Sequence, residues 1–269
     1  MKRPPQRPLL YVLMLVLSVL ALPMPAQTER VKAADSEGVT ASRNKTSLFL
    51  EVSAKVKSPI KIPRLAAPVA SMMWQGSITD DGVSLKPEPD HWVISWKNRP
   101  AENATLVLQF GSQPILIDEL KPIRKSGDGS FYLPAHFAQT HGEKIRYEPQ
   151  PHKNTVGFWV GKEDYARWGI QLDKPGRFNV AVLQGCGKGQ GGSSAVMSFV
   201  SPVKDLTPKL EFEVVETGHF QNFQWVHLGE VELRHAGEVE ISVAPKQIKK
   251  AALMDIRAIH LIRLPDKKK

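Results

Sequence analysis

Nine consecutive residues, Thr217-Gly218-His219-Phe220-Gln221-Asn222-Phe223-Gln224-Trp225, set three aromatic rings among amides and one imidazole. That mixture suits sugar recognition. A ring covers the apolar face of a pyranose, while amide and imidazole groups hydrogen-bond its hydroxyls. His219, Phe220, Asn222, Phe223 and Trp225 are therefore the candidate ligand-binding residues. Lys188 and Gln190, on a glycine-rich loop, join them as candidates that line the same groove. The competing reading makes Phe220, Phe223 and Trp225 the buried side of one strand.

Other residues invite chemistry and do not sustain it. Gly187, Gly189 and Gly192 satisfy G-x-G-x-x-G. That fingerprint has meaning only between a strand and a helix, and here a second strand follows. The segment reads as a flexible loop between strands. Cys186 is the one cysteine, so it forms no internal disulfide. No local base or electropositive signature marks it as a nucleophile, and a small buried or loop thiol is the simpler reading. His136 and His141 are five apart, and His219, His227 and His235 are eight apart. Neither spacing puts two imidazoles on one helix face to hold zinc. Glu163, Asp164, Glu211, Glu213 and Glu216 raise the paired carboxylates of glycosidases. Glu211 and Glu213 alternate with apolar residues, so they point to solvent. No catalytic residue is assigned.

The elements that must position these groups are strands. Trp92, Ile94 and Trp96 alternate with Val93 and Ser95, and Leu106, Leu108 and Phe110 with Val107 and Gln109. Phe178, Val180 and Val182 share a side, as do Leu210, Phe212 and Val214, and Val239, Ile241 and Val243. Period two marks strands with one face on a core. Further strands are expected at 47–52, 158–161, 167–172 and 195–200. Residues 250–264 could be a helix on propensity. Met254, Ile256, Ala258, Ile262 and Leu264 nonetheless share a face at period two, broken by His260, which makes this the last strand. Turn signals every 8–12 residues point to a β-sandwich or barrel.

Organisation follows. Residues 1–26 read as a signal peptide: Lys2, Arg3 and Arg7 precede an apolar run over 9–22, short for a membrane span. Residues 27–69 read as a linker, 70–125 as a small β-unit of some four strands, 126–265 as the larger β-domain, and 266–269 as a basic tail. The formal charge is +9, of which the signal segment supplies three. The charges are dispersed, without the basic stripe and module that nucleic-acid binding needs. An acidic polysaccharide is compatible with the balance. The expected location is secreted, periplasmic or cell-surface, with no membrane span after signal cleavage.

The ordered segments Gly157-Phe158-Trp159, Asp164-Tyr165-Ala166-Arg167-Trp168, Pro175-Gly176-Arg177-Phe178-Asn179-Val180, Thr217-Gly218-His219-Phe220-Gln221, Gly237 and Asp255 resemble the galactose-binding-like carbohydrate-binding modules of families 6 and 35. The resemblance covers about residues 131–264. His141-Gly142, Arg146-Tyr147-Glu148 and Leu183-Gln184-Gly185-Cys186-Gly187-Lys188-Gly189 carry a further likeness. It is to the C-terminal extension of bacterial α-L-fucosidases of glycoside hydrolase family 29 and to secreted planctomycete proteins. The resemblance implies an all-β chain: a galactose-binding-like jelly-roll β-sandwich preceded by the small β-unit.

It also implies a glycan or cell-surface polysaccharide as partner and no catalysis, because the catalytic barrel of those enzymes has no counterpart in the strand pattern. Such modules hold a structural calcium partly through a Glu near the domain start and an Asp in the last strand. Here Leu133-Pro134-Ala135-His136 replaces the first, and Asp255 remains a weak calcium candidate. The leading expectation is a secreted, non-catalytic, lectin-like protein. The alternatives are a structural or protein-interaction sandwich without sugar binding, and a fucosidase-related protein lacking the catalytic barrel.

Overall fold

A computed structural model describes residues 28–31, 37–201, 203 and 207–266. The expected signal peptide and the last three residues of the basic tail lie outside the described residues. No described helix is long and apolar enough to cross a membrane.

The first lobe contains β1 (Glu29–Arg30), β2 (Val39–Arg43), β3 (Ser47–Val52), β4 (Ile60–Pro63), β5 (Val69–Trp74), β6 (Ser84–Pro87), β7 (His91–Ser95) and β8 (Ala104–Phe110). One sheet runs β1-β2-β3-β8-β5 and a smaller one β4-β7-β6. Leu48, Leu50, Ile60, Ile62, Trp74, Trp92, Ile94, Leu106 and Leu108 are the alternate positions of these strands, and all are buried between the sheets. Residues 39–63 are therefore not linker. The polar texture that suggested one comes from the outward positions, Thr40, Glu51 and Lys61, whose inward neighbours Val39, Ala41, Leu50, Val52, Ile60 and Ile62 are buried in this core.

The second lobe contains β9 (Ile123–Arg124), β10 (Phe131–Pro134), β11 (Gln139–His141), β12 (Arg146–Glu148), β13 (Thr155–Gly157), β14 (Tyr165–Leu172), β15 (Gly176–Gly185), β16 (Ser194–Val200), β17 (Lys209–Glu213), β18 (Gln224–Leu233), β19 (Gly237–Gln247) and β20 (Asp255–Arg263). One sheet runs β12-β13-β20-β15-β18, with β10 also on β20; the other runs β11-β14-β19-β16-β17, with β9 on β14. The chain is thus all-β, and this lobe is a jelly-roll β-sandwich. Phe131, Leu133, Phe178, Val180, Val182, Ile259 and Leu261 face Trp168, Ile170, Met197, Phe199, Ile241 and Val243 across the core.

Two strand expectations shift. The strand expected at 158–161 lies at Thr155–Gly157 instead. Asp164 accepts the amides of Val160 (3.0 Å) and Gly161 (2.7 Å), which turns the chain, and Phe158 stands at φ 58°. The last strand forms as expected, but its inward row does not run through Ala258 and Ile262. Leu183 pairs with Ala258 while Gln184 pairs with Ile256, so Arg257 is an extra residue and the strand changes phase there. Beyond this bulge Ile259 and Leu261 point inward and His260 outward.

Arg64 fastens the lobes together. Its Nη1 donates to Ala138 O (2.7 Å) and its Nη2 to His136 O (3.3 Å), and the guanidinium lies 4.9 Å over the Tyr147 ring. Burial without a carboxylate partner lowers its pKa to about 10. Burial, and then the Arg64 charge, lower His136 to about 4, which keeps this imidazole neutral. Val69 N also donates to Pro149 O across the junction (2.9 Å).

Candidate functional site

The aromatic segment does not form one cluster. Its first part is engaged in holding two loops together. Thr217 Oγ1 accepts Cys186 N (2.8 Å), and Gly187 bridges Gly218. Phe220 lies over the glycine loop: a methyl on Gly187 would come within 2.7 Å of its Cε2, and one on Gly185 would strike its carbonyl oxygen. Asn222 Nδ2 donates to Thr217 O (2.5 Å), and His219 Nδ1 accepts Gln221 N (3.1 Å). Gln190 Oε1 accepts Ala251 N (3.0 Å), and Glu216 accepts Gly189 N (2.7 Å). Lys188 is exposed, with its amide on Gly218 O (3.1 Å). The glycine loop is thus tied down on both sides rather than free. The glycines are needed because Phe220 packs directly on their backbone.

Cys186 is fully buried in this junction. Burial, with Glu216 and Asp255 adding to it, pushes its thiol up to about 11. That is opposite to what a nucleophilic cysteine requires.

Phe223 and Trp225 belong elsewhere. On β18, Val226 and Leu228 pack toward the core, so Trp225 and His227 face outward. Leu183 of β15 lies between Trp225 and Ala258, and Ala181 lies between His227 and His260. His260 in turn opposes Tyr132 of β10. The outer face of the sheet therefore carries Trp225 and His227 on one side, Leu183 and Ala181 in the middle, and Ala258, His260 and Tyr132 on the other. Tyr132 and Trp225 are each 46% exposed. The His260 ring is 6.0 Å from Tyr132 and 6.1 Å from Trp225, centroid to centroid.

Phe223 flanks this row beneath Arg257, whose guanidinium lies 3.8 Å over its ring. Only Trp225 and Phe223 of the expected residues reach this face. Tyr132, His260, His227 and Arg257 were missed. The signal that could have found Tyr132 and His260 is outward position: Tyr132 between Phe131 and Leu133, and His260 between Ile259 and Leu261.

Asp255 sits at the inner end of β20, 6% exposed beside Glu148. Gly157 leaves room for the pair: a Cβ there would lie 2.8 Å from Asp255 Oδ1 and 2.9 Å from Glu148 Oε2. Lys153 Nζ meets Glu148 Oε1 at 2.5 Å. Burial, and then the Glu148 charge, push Asp255 up to about 8. Two carboxylates already served by an ammonium do not fit the six to eight oxygens of calcium. Among the described residues no group of three or more metal-ligating side chains converges.

No known family profile and no curated protein matches this chain. Solved structures do. An α-L-fucosidase from Vibrio sp. strain EJY3 is similar over 87% of this chain and 41% of its own, at 13% identity and TM-score 0.33. The C-terminal family 6 carbohydrate-binding module of LamC, a laminarinase from Zobellia galactanivorans, is similar over 49% of this chain and 98% of its own, at 16% identity and TM-score 0.40. A family 35 module from Cellvibrio japonicus Abf62 covers 49% of this chain and 92% of its own, at 12% identity and TM-score 0.38. This chain spans less than half the length of the Vibrio enzyme.

Proposed function

We propose that this chain is an exported carbohydrate-binding protein that holds a glycan on the outer face of the β10–β20–β15–β18 sheet without turning it over. The observation that carries this reading is the Tyr132–His260–Trp225 row on three strands, two half-exposed rings with an imidazole between them at 6.0 and 6.1 Å spacings. Pyranose rings are amphipathic: their axial C–H groups rest on aromatic faces and their hydroxyls seek polar donors and acceptors. A row of rings interspersed with imidazole nitrogens supplies both. Placement on strands keeps the rings rigid, which limits the entropy lost on binding. The loop holding Phe220 and Asn222 serves instead as the structure's own packing, so the binding face is moved from that loop to the sheet.

The test is a glycan array probed with the purified protein and its Trp225→Ala, Tyr132→Ala and Asn222→Ala variants. Binding that Trp225→Ala and Tyr132→Ala each weaken by roughly tenfold, about 1.4 kcal/mol, with both variants folded, supports the face. Asn222→Ala leaves affinity unchanged in the folded fraction. Loss confined to Asn222→Ala would return the site to the loop. Absence of binding across neutral, fucosylated, uronic and sulfated glycans would end the carbohydrate reading in favour of a protein-interaction sandwich.

A further inference from the structure

We infer that the sheet face selects acidic glycans, whose carboxylate or sulfate groups are held by Arg257. The inference rests on the carbohydrate reading above and adds the charge class of the ligand.

Arg257 is the extra residue of the β20 bulge. A bulge re-aims one side chain out of the regular alternation, and here the re-aimed residue is the cation beside the aromatic row. Its plane lies 3.8 Å over Phe223. Its Nε donates to Lys153 O (3.0 Å), and its Nη2 donates to His152 O (2.7 Å) and Lys153 O (2.6 Å). These contacts fix the plane and leave Nη1 without a partner among the described residues. Arg257 also forms no ion pair with a described carboxylate, although it is partly buried. Phe223 and Trp225 stand two residues apart in sequence on the β18 side of the guanidinium.

The acids around this face are otherwise engaged. Glu230 pairs with Arg177. Asp128 accepts the amide (2.9 Å) and hydroxyl (3.0 Å) of Ser130. Asp255 is buried beside Glu148. The groups left to meet a ligand are therefore rings, two imidazoles and one pre-oriented guanidinium without a counter-charge. A planar fork of that kind suits a carboxylate or sulfate, and its orientation costs little once fixed. A neutral sugar would cover the rings and leave the cation unmatched. The chain's excess of 36 basic over 27 acidic residues, three of the basic ones in the expected signal segment, is compatible with a polyanion as ligand.

The experiment is calorimetric titration of the full chain with matched pairs of oligosaccharides. Polygalacturonate is compared with its carboxyl-reduced form, and a sulfated fucan with its desulfated form, at low and at physiological salt. The two pairs distinguish carboxylate from sulfate. The expected result is about tenfold tighter binding of one acidic member than of its neutral partner, weakening with salt. Arg257→Met brings the affinities for the acidic and neutral members of that pair to within about twofold of each other. Arg257→Lys keeps the charge without the fork and recovers part of the preference. Equal affinity for acidic and neutral members in the wild-type protein overturns the inference and leaves the carbohydrate reading standing, even if the variants do not fold. A preference that survives in folded Arg257→Met overturns the role of Arg257. No binding of either member overturns the carbohydrate reading itself, and the inference with it.

Discussion

Replacing Asp255 with asparagine should make the protein more stable, and the gain should grow with pH. Asp255 is 6% exposed and shares the space over Gly157 with Glu148. Its pKa in the folded chain is about 8, raised first by burial and then by Glu148, against an ordinary value of 3.8. A carboxyl group with a raised folded pKa favours folding fully only below its unfolded pKa. That favour drains away as pH climbs toward the folded value. Between about pH 4 and pH 8 the wild-type chain should therefore lose stability at up to about 1.4 kcal/mol per pH unit from this group.

Asparagine keeps the shape and cannot ionise. The difference between variant and wild type should then widen by about 3 kcal/mol from about pH 5 to about pH 8, and flatten above that. Urea unfolding followed by tryptophan fluorescence, at four pH values on both proteins, measures it. Histidines and other titrating groups cancel in the difference. Parallel stability curves, or a difference that narrows with pH, would show that Asp255 is ionised in the folded protein and would refute the reasoning.

Three further outcomes follow from the packing. Gly185→Ala should cost about 3 kcal/mol, because its methyl strikes the Phe220 carbonyl and backbone has nowhere to yield, whereas Gly127→Ala, with open space around it, should change stability by less than about 0.5 kcal/mol. Equal urea midpoints for the two variants would contradict the close approach of the loops. Cys186, fully buried with its thiol raised to about 11, should react with a thiol reagent at neutral pH only as the protein unfolds; fast reaction of the folded protein would contradict its burial. Arg64→Ala should cost about 2–4 kcal/mol by stranding the Ala138 and His136 carbonyls, and Arg64→Lys should restore little of it, since one ammonium cannot serve both carbonyls and cover Tyr147. Unchanged denaturation midpoints would remove Arg64 as the fastener.

The strands with strict alternation were legible because each reports its own environment. Trp92 and Ile94, Leu106 and Leu108, Phe178 to Val182 and Val239 to Val243 all face the core as their period predicts. Residues 39–63 read as linker because their strands are short and their outward positions polar, so composition outweighed period. The phase change at Arg257 was invisible because a bulge is a property of pairing, set by Leu183 and Gln184 some seventy positions away.

The proposed binding face was hidden for a related reason. Its rings are gathered by sheet order from β10, β18 and β20, and Tyr132 and His260 oppose each other across 128 positions of sequence. Sequence proximity drew attention to Phe220 and Asn222, whose dense polar and aromatic character reflects a loop that must satisfy its own backbone. Trp225 was legible from either view.

Arg64 bears on how this architecture can be inherited. Its guanidinium belongs to one lobe by sequence and to the other by contact, and it covers two carbonyls and the Tyr147 ring of the sandwich. A recombination event that copied the sandwich alone into another gene would deliver it with those carbonyls bare and an aromatic face open. The contacts at this junction travel intact only with both lobes, so the junction marks a seam at which such copying would change the packing of the sandwich.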